Sequence, residues 1–283
     1  MGFQFTGFAD EATKNLKGQI EVLKKVGWSA IETRLVEGKN FCDLTDAEFE
    51  AAWDTLQSAG IKIVGYGSQI ANWGRPITTD FDVDINELER NIKRMRKTGT
   101  KFIRVMSYPN AKEPWPEAQW KAEVIRRLKE LSARARAADI VLVHENCNGY
   151  GGLGPKQTLE LIEAIDNPAF KLVFDTGNNT GHDNELESTW RFYEAVKDHI
   201  VHVHIKSYKK GADGKFATCF PDEDANQLKI LKDLKKRGYN GYISIEPHLK
   251  AAVHAGKDVD DVEAATAVWI DYAKRIEQLA AKA

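Results

Sequence analysis

The sequence predicts a closed (β/α)8 barrel, the TIM-barrel form of the α/β class, as a single domain over residues 1–283. Three observations lead there. Short apolar runs alternate with amphipathic stretches from end to end, eight of each, and strands separated by helices pair in parallel through crossovers. Four helical stretches stop at a glycine just before a strand, at Gly27, Gly60, Gly99 and Gly238, where a left-handed cap is tolerated. No G-x-G-x-x-G follows the first strand, which disfavours an open dinucleotide-binding sheet, and a count of eight suits closure.

The elements follow in order. A strand over 3–8 precedes a helix over 15–26 that Gly27 ends. A strand over 30–35 leads to a helix over 46–59 that Gly60 ends. A strand over 62–67 leads to a helix over 84–98 that Gly99 ends. The strand over 102–107 is followed by a long helix over 117–138, rich in Ala, Arg and Leu. Strands over 140–145, 171–174, 201–206 and 242–246 then alternate with helices over 158–165, 186–196, 226–237 and 258–281. No Pro/Gly/Ser-rich linker divides the chain, and the units share no sequence repeat of solenoid period.

Composition narrows the function. At 283 residues and 42 % hydrophobic, the chain supports a large core. A net charge of −2 argues against a general nucleic-acid or polyanion binder. Cys42, Cys147 and Cys219 form no framework and read as reduced thiols of a cytoplasmic protein. The start, MGFQFTGFAD, is not a signal-peptide pattern; Gly2 and Thr6 match the loose myristoylation pattern, but the segment reads as the first strand. No run of 18 apolar residues exists, so no membrane span is expected. Homo-oligomerisation is left open.

In such a barrel chemistry sits at the C-terminal ends of the strands. There IVLVHEN brings Glu145, KLVFDTGNN brings Asp175, VHVHIKS brings His204, and YISIEPH brings Glu246. Oxygen and imidazole donors without thiolate suit one divalent ion, Mn²⁺ first, with Mg²⁺ or Co²⁺ as alternatives. A lone acid at a strand end is often a cap or an ion-pair partner; four on consecutive strands are not readily explained so. Alternation puts His202, His204 and Lys206 on one face. Lys206 then reaches towards an anionic or enolate oxygen. His202 lies a layer deeper, where a hydrogen-bonded core histidine is the simpler reading. His144 should face outward under a helix, although a twisted strand end could lean it into the site. His182, His248 and His254 read as loop or surface groups.

Further candidates lie nearby. Glu32 ends the second strand. The loop GYGSQIANWGRPI over 65–77 is apolar enough to cover the rim, and its Tyr66 and Trp73 could wall a sugar. The substrate-facing set is therefore Glu32, Ser68, Trp73, His144, Asn178 and His202. The basic run at 93–97 reads as a solvated helix end, and the glycine-rich 144–154 is a weak phosphate cradle.

With LVHEN, VFDTGN, HVHIK and SIEP in place, nearly the whole chain resembles the xylose-isomerase-like TIM-barrel superfamily. It looks like the sugar phosphate isomerase/epimerase branch, whose relatives include tagatose/psicose 3-epimerases, inosose dehydratases and endonuclease IV. The resemblance implies one divalent metal on Glu145, Asp175, His204 and Glu246, with the two glutamates as the acid/base pair. Three positions depart from the ketose 3-epimerase pattern. Gly151 stands for a glutamate, Asn178 for a histidine and Lys210 for an arginine. HVHIKS is closer to the inosose dehydratase pattern. The expected catalytic residues are thus Glu145, Glu246 and Lys206, acting on a small carbohydrate through an enediolate. An isomerase or epimerase comes first. A lyase on a 3-keto-sugar, 3-keto-glycoside or keto-inositol is the alternative, and a non-catalytic barrel subunit the third. A nuclease is disfavoured by charge and histidine count.

Overall fold

A computed structural model of the protein describes residues 2–249 and 261–283. Eight parallel strands form one sheet: β1 (Gln4–Gly7), β2 (Ala30–Thr33), β3 (Lys62–Gly67), β4 (Phe102–Ser107), β5 (Val141–Gly149), β6 (Phe170–Asp175), β7 (Ile200–Ile205) and β8 (Tyr242–Ile245). Each pairs with its neighbour in sequence from β2 to β8, and β8 pairs with β1. The sheet thereby curls into a nearly closed TIM barrel. At the seam between β1 and β2, side chains make the connection: Arg34 forms ion pairs with Asp10 at 2.9 Å and Glu11 at 3.1 Å.

The helices form the outer layer: α1 (Leu16–Lys25), α2 (Asp46–Ser58), α3 (Phe81–Thr98), α4 (Glu117–Ala137), α5 (Pro155–Ile165), the short α6 (Asn178–Asp183), α7 (Leu186–Val196), α8 (Ala225–Lys236) and α9 (Val262–Ala281). Local chemistry sets their ends. Asn15 accepts from the Gly18 N–H, and Thr45 forms a reciprocal cap with Glu48. Gly27, Gly60, Gly99 and Gly238 have φ of 78°, 73°, 72° and 72°, so the four stops read from sequence are left-handed caps. The expected helix start at residue 258 and His254 lie outside the described residues.

Leu23, Ile31, Ile63, Leu128, Phe174, Val203, Ile243 and Ile276 belong to one buried core cluster. Trp269 of α9 packs edge-on to Trp28 at 5.5 Å and donates from its indole N–H to the Phe8 carbonyl at 3.1 Å. Two hairpins extend the C-terminal rim, Leu35–Val36 with Lys39–Asn40 and Tyr208–Lys210 with Phe216–Thr218. Among the described residues no helix is long and apolar enough to cross a membrane. The basic run at 93–97 is only partly solvated: Arg94 is buried and donates to the carbonyls of Cys42 and Leu44.

Candidate active site

Strand register brings the four expected donors together. Asp175 lies beside His204, and His204 beside Ser244. Glu145 comes from β5, and Glu246 follows β8 by one residue. One atom from each of Glu145, Asp175, His204 and Glu246 lies within 4.8 Å of the other three, and all four residues are buried. Asp175 Oδ2, His204 Nδ1 and Glu246 Oε2 have no hydrogen-bond partner among the described residues. Lys206 Nζ faces the two carboxylate oxygens at 3.3 and 3.5 Å without making a hydrogen bond to either, and buried polar atoms left so are costly. They fit a cation there.

The other atoms of these groups are fixed from outside. Glu145 accepts from Arg104 at 3.1 Å and from Asn178 at 2.9 Å. Glu246 Oε1 faces Arg34 at 2.7 Å and His248 at 2.8 Å. Asp175 Oδ1 accepts from the N–H groups of Gly177 and Asn178 at the start of α6. Lys206 Nζ donates to Asn178 at 2.9 Å and stands 3.3 Å from Asp175 Oδ2 and 3.5 Å from Glu246 Oε2. Asn178 therefore spans Lys206 and Glu145.

Charge is unbalanced here. Asp10, Glu11, Glu32, Glu145, Asp175 and Glu246 are all buried, while Arg34, Arg104 and Lys206 are the arginine and lysine partners among them. The excess of acid registers in the histidine: burial opposes the His204 charge, yet Glu32, Glu145 and Glu246 push its pKa up to about 9. Burial raises Asp175 to about 6 against the pull of Lys206. Burial likewise raises Glu11 to about 8, with Arg34 opposing. Glu246 goes the other way: despite burial, Lys206, His248 and Arg34 hold it well below the usual range. Lys206 overcomes burial through Asp175, Glu246 and Glu145 and is held well above an ordinary lysine. These carboxylates favour its ammonium form.

A cleft of ≈ 460 Å³ opens above the cluster. Glu145, Glu246, Lys206, Asn178 and Trp73 line it, with Arg34, Arg104, Cys147 and Met106 among the others. Trp73 is 64 % exposed. Its loop is braced from α3, where Asp84 and Glu87 accept from the Ala71 and Gln69 N–H groups and both pair with Arg75.

Other expected residues lie off the cleft. Glu32 and His202, expected at its wall, sit beneath it, where Glu32 accepts from both His202 and His204. Ser68 is buried and hydrogen-bonds the Arg104 carbonyl, so it braces β4. His144 faces outward against Phe170, because it alternates with the inward Glu145. A Cβ on Gly151 would come within 2.6 Å of the His144 ring. Tyr66 is fully buried, edge-on to Phe41, and walls nothing. His248 and His182, read as loop or surface groups, line the cleft. The sequence reading missed Arg34, Arg104, Asp10 and Glu11. The available signal was a charge at an inward strand position, as in FIRVMS, and a charged pair straight after the first strand.

A family model described as a xylose isomerase-like TIM barrel matches residues 20–266, and the chain belongs to that family. An uncharacterised protein of Methanocaldococcus jannaschii is 31 % identical over 104 residues, which is 36 % of this chain and 33 % of that protein. The match thus spans about a third of the curated relative. Among solved structures, a xylose isomerase-like TIM barrel protein from Mycobacterium smegmatis in complex with magnesium is 16 % identical, with a TM-score of 0.72, over 100 % of this chain and 97 % of the other. D-Psicose 3-epimerase from Clostridium cellulolyticum, solved with D-tagatose, is 15 % identical, with a TM-score of 0.71, over 98 % and 99 %. The apo form of 3-keto-D-glucoside 4-epimerase from E. coli is 15 % identical, with a TM-score of 0.65, over 95 % and 99 %. At these identities the likeness is one of fold.

Proposed function

We propose that the protein is a divalent-metal-dependent enzyme that removes a proton from a carbon next to a carbonyl of a small carbohydrate. Isomerisation or epimerisation through an enediolate is the first reading. The observation that carries it is the convergence of Glu145, Asp175, His204 and Glu246, with three buried polar atoms that make no hydrogen bond among the described residues. Those four residues would hold the ion, Mn²⁺ before Mg²⁺ or Co²⁺. When bound, it would supply electrophilic stabilisation of charge developing on substrate oxygens.

The chain's own groups divide the proton work. Glu246 lines the cleft in its carboxylate form and is the candidate for abstraction. Glu145, tethered by Arg104 and Asn178, faces the same cleft and suits proton return. Lys206 offers a fixed ammonium to an enolate oxygen or a departing hydroxyl. Trp73 suits the C–H face of a ring.

A lyase or dehydratase acting on a 3-keto-sugar, 3-keto-glycoside or keto-inositol is the second reading, and specific residues favour it. Gly151 has no room for a side chain beside His144, Asn178 is committed to Glu145 and Lys206, and Lys210 is exposed on a hairpin. A clamp for an open-chain ketose is therefore missing, and a cyclic or keto-modified sugar is the better fit. The test is incubation of the Mn²⁺-loaded protein with ketoses and 3-keto-sugars in D₂O. Deuterium uptake at a carbon α to the carbonyl supports the proposal, and an altered or eliminated product selects the reaction. No uptake from any of them, with metal bound, overturns it.

A further inference from the structure

Beneath the cleft, two buried residues that the reaction itself does not use, Glu32 and His202, meet the ion-site residue His204. Glu32 Oε2 is 2.8 Å from His202 Nε2, and both Glu32 oxygens are 3.1 Å from His204 Nε2. The three residues are each at most 2 % exposed. The barrel makes room for the carboxylate: a Cβ on Gly65 would lie 3.2 Å from Glu32 Oε1. Aromatic rings flank them, Phe8 edge-on to His204 at 5.1 Å and Phe102 tilted against His202 at 6.0 Å.

We propose that Glu32, locked by His202, is a positioning residue that sets the tautomer of His204 and thereby its capacity to bind a cation through Nδ1. A carboxylate only accepts hydrogen bonds. Both rings must then carry a proton on Nε2 to satisfy Glu32, so Nδ1 is the His204 nitrogen left to bind a cation. That atom is the one turned to Glu246 Oε2, 3.8 Å away, and it has no partner among the described residues. A carboxylate behind a histidine ligand fixes the ring and raises its basicity, and its loss costs 10–100-fold in metal affinity in comparable sites. His202 has a different task. It supplies the second donor that stops Glu32 from turning away, so its effect on metal is indirect and smaller. The inference rests on the metal reading of the cluster above it.

The test is Co²⁺ and Mn²⁺ affinity by chelator competition, with the visible Co²⁺ spectrum, on the whole protein. Glu32→Gln keeps the shape but offers an N–H₂ group that cannot satisfy two Nε2–H donors. It should weaken binding roughly 10–100-fold and alter the Co²⁺ spectrum in a protein that still folds. His202→Leu should weaken binding only severalfold, and His202→Gln, which retains a donor, should restore most of it. Wild-type affinity and spectrum in Glu32→Gln would overturn the inference. Failure of the wild-type protein to bind either ion would instead remove the metal reading itself. If Glu32→Gln does not fold, long-range ¹⁵N–¹H correlations of the histidines in the wild-type protein loaded with diamagnetic Zn²⁺ decide. Protons on Nε2 of both rings support the assignment, and a proton on His204 Nδ1 overturns it.

Discussion

Lys206 is the residue whose environment constrains its chemistry most. Its ammonium touches Asn178 and stands between Asp175 and Glu246, and these carboxylates keep it charged. A buried donor of this kind stabilises charge that develops during reaction, and losing one costs about 10²–10³ in kcat. Lys206→Met should therefore lower kcat by about that factor and change KM far less. Unchanged turnover would reduce the lysine to a structural counterion. His144 gives a separate pH signature. Burial lowers its pKa from 6.5 to about 4, so the unfolded chain takes up the proton first. Stability is complete above about pH 6.5 and is lost as the pH falls towards 4, by about 3 kcal/mol at 1.36 kcal/mol per unit. Urea unfolding between pH 7 and 4 should show this loss in the wild type and less of it in His144→Asn. Equal pH dependence in the two would remove His144 as its source.

At the scale of elements, the loop carrying Trp73 links fold to specificity. Asp84 and Glu87 of α3 hold its backbone and Arg75, while the largely exposed Trp73 indole lines the cleft. Trp73→Ala should raise KM for a ring-bearing substrate about tenfold or more while kcat holds, the pattern of lost uniform binding. Its melting point should barely move, since exposed positions cost within about 0.5 kcal/mol. A fall in kcat at constant KM would contradict a role in binding. The strands, helices and glycine stops were legible because periodicity and caps are local. The four donors were legible because each ends a consecutive strand. Arg34 and Arg104 were not, because their partners lie on other strands: Arg34 meets residues after β1 and β8, and Arg104 meets Glu145 across the β4–β5 pair. Glu32 was placed one level too high, because its length lets it reach His202 and His204 on the far side of the barrel.

For the whole molecule, closure of the barrel determines whether the site exists. Glu246 follows the strand that pairs with β1, and Arg34, Asp10 and Glu11 tie the remaining seam. Gly7 sits at this joint, where an added Cβ would come within 2.5 Å of the Ile245 side chain and 3.1 Å of Trp269. Gly7→Ala should cost about 1–3 kcal/mol through overpacking and displace Glu246 with its strand. Denaturant unfolding checks the first effect, and unchanged stability would mean that β8 and α9 yield freely. The most direct measurement on the whole is anomalous diffraction from crystals of the wild-type protein grown with Mn²⁺. One peak is expected, about 2.0–2.6 Å from an oxygen of Glu145, Asp175 and Glu246 and from His204 Nδ1. Absence of a peak at saturating Mn²⁺, or a peak held by other residues with these four unbound, would contradict the proposed centre.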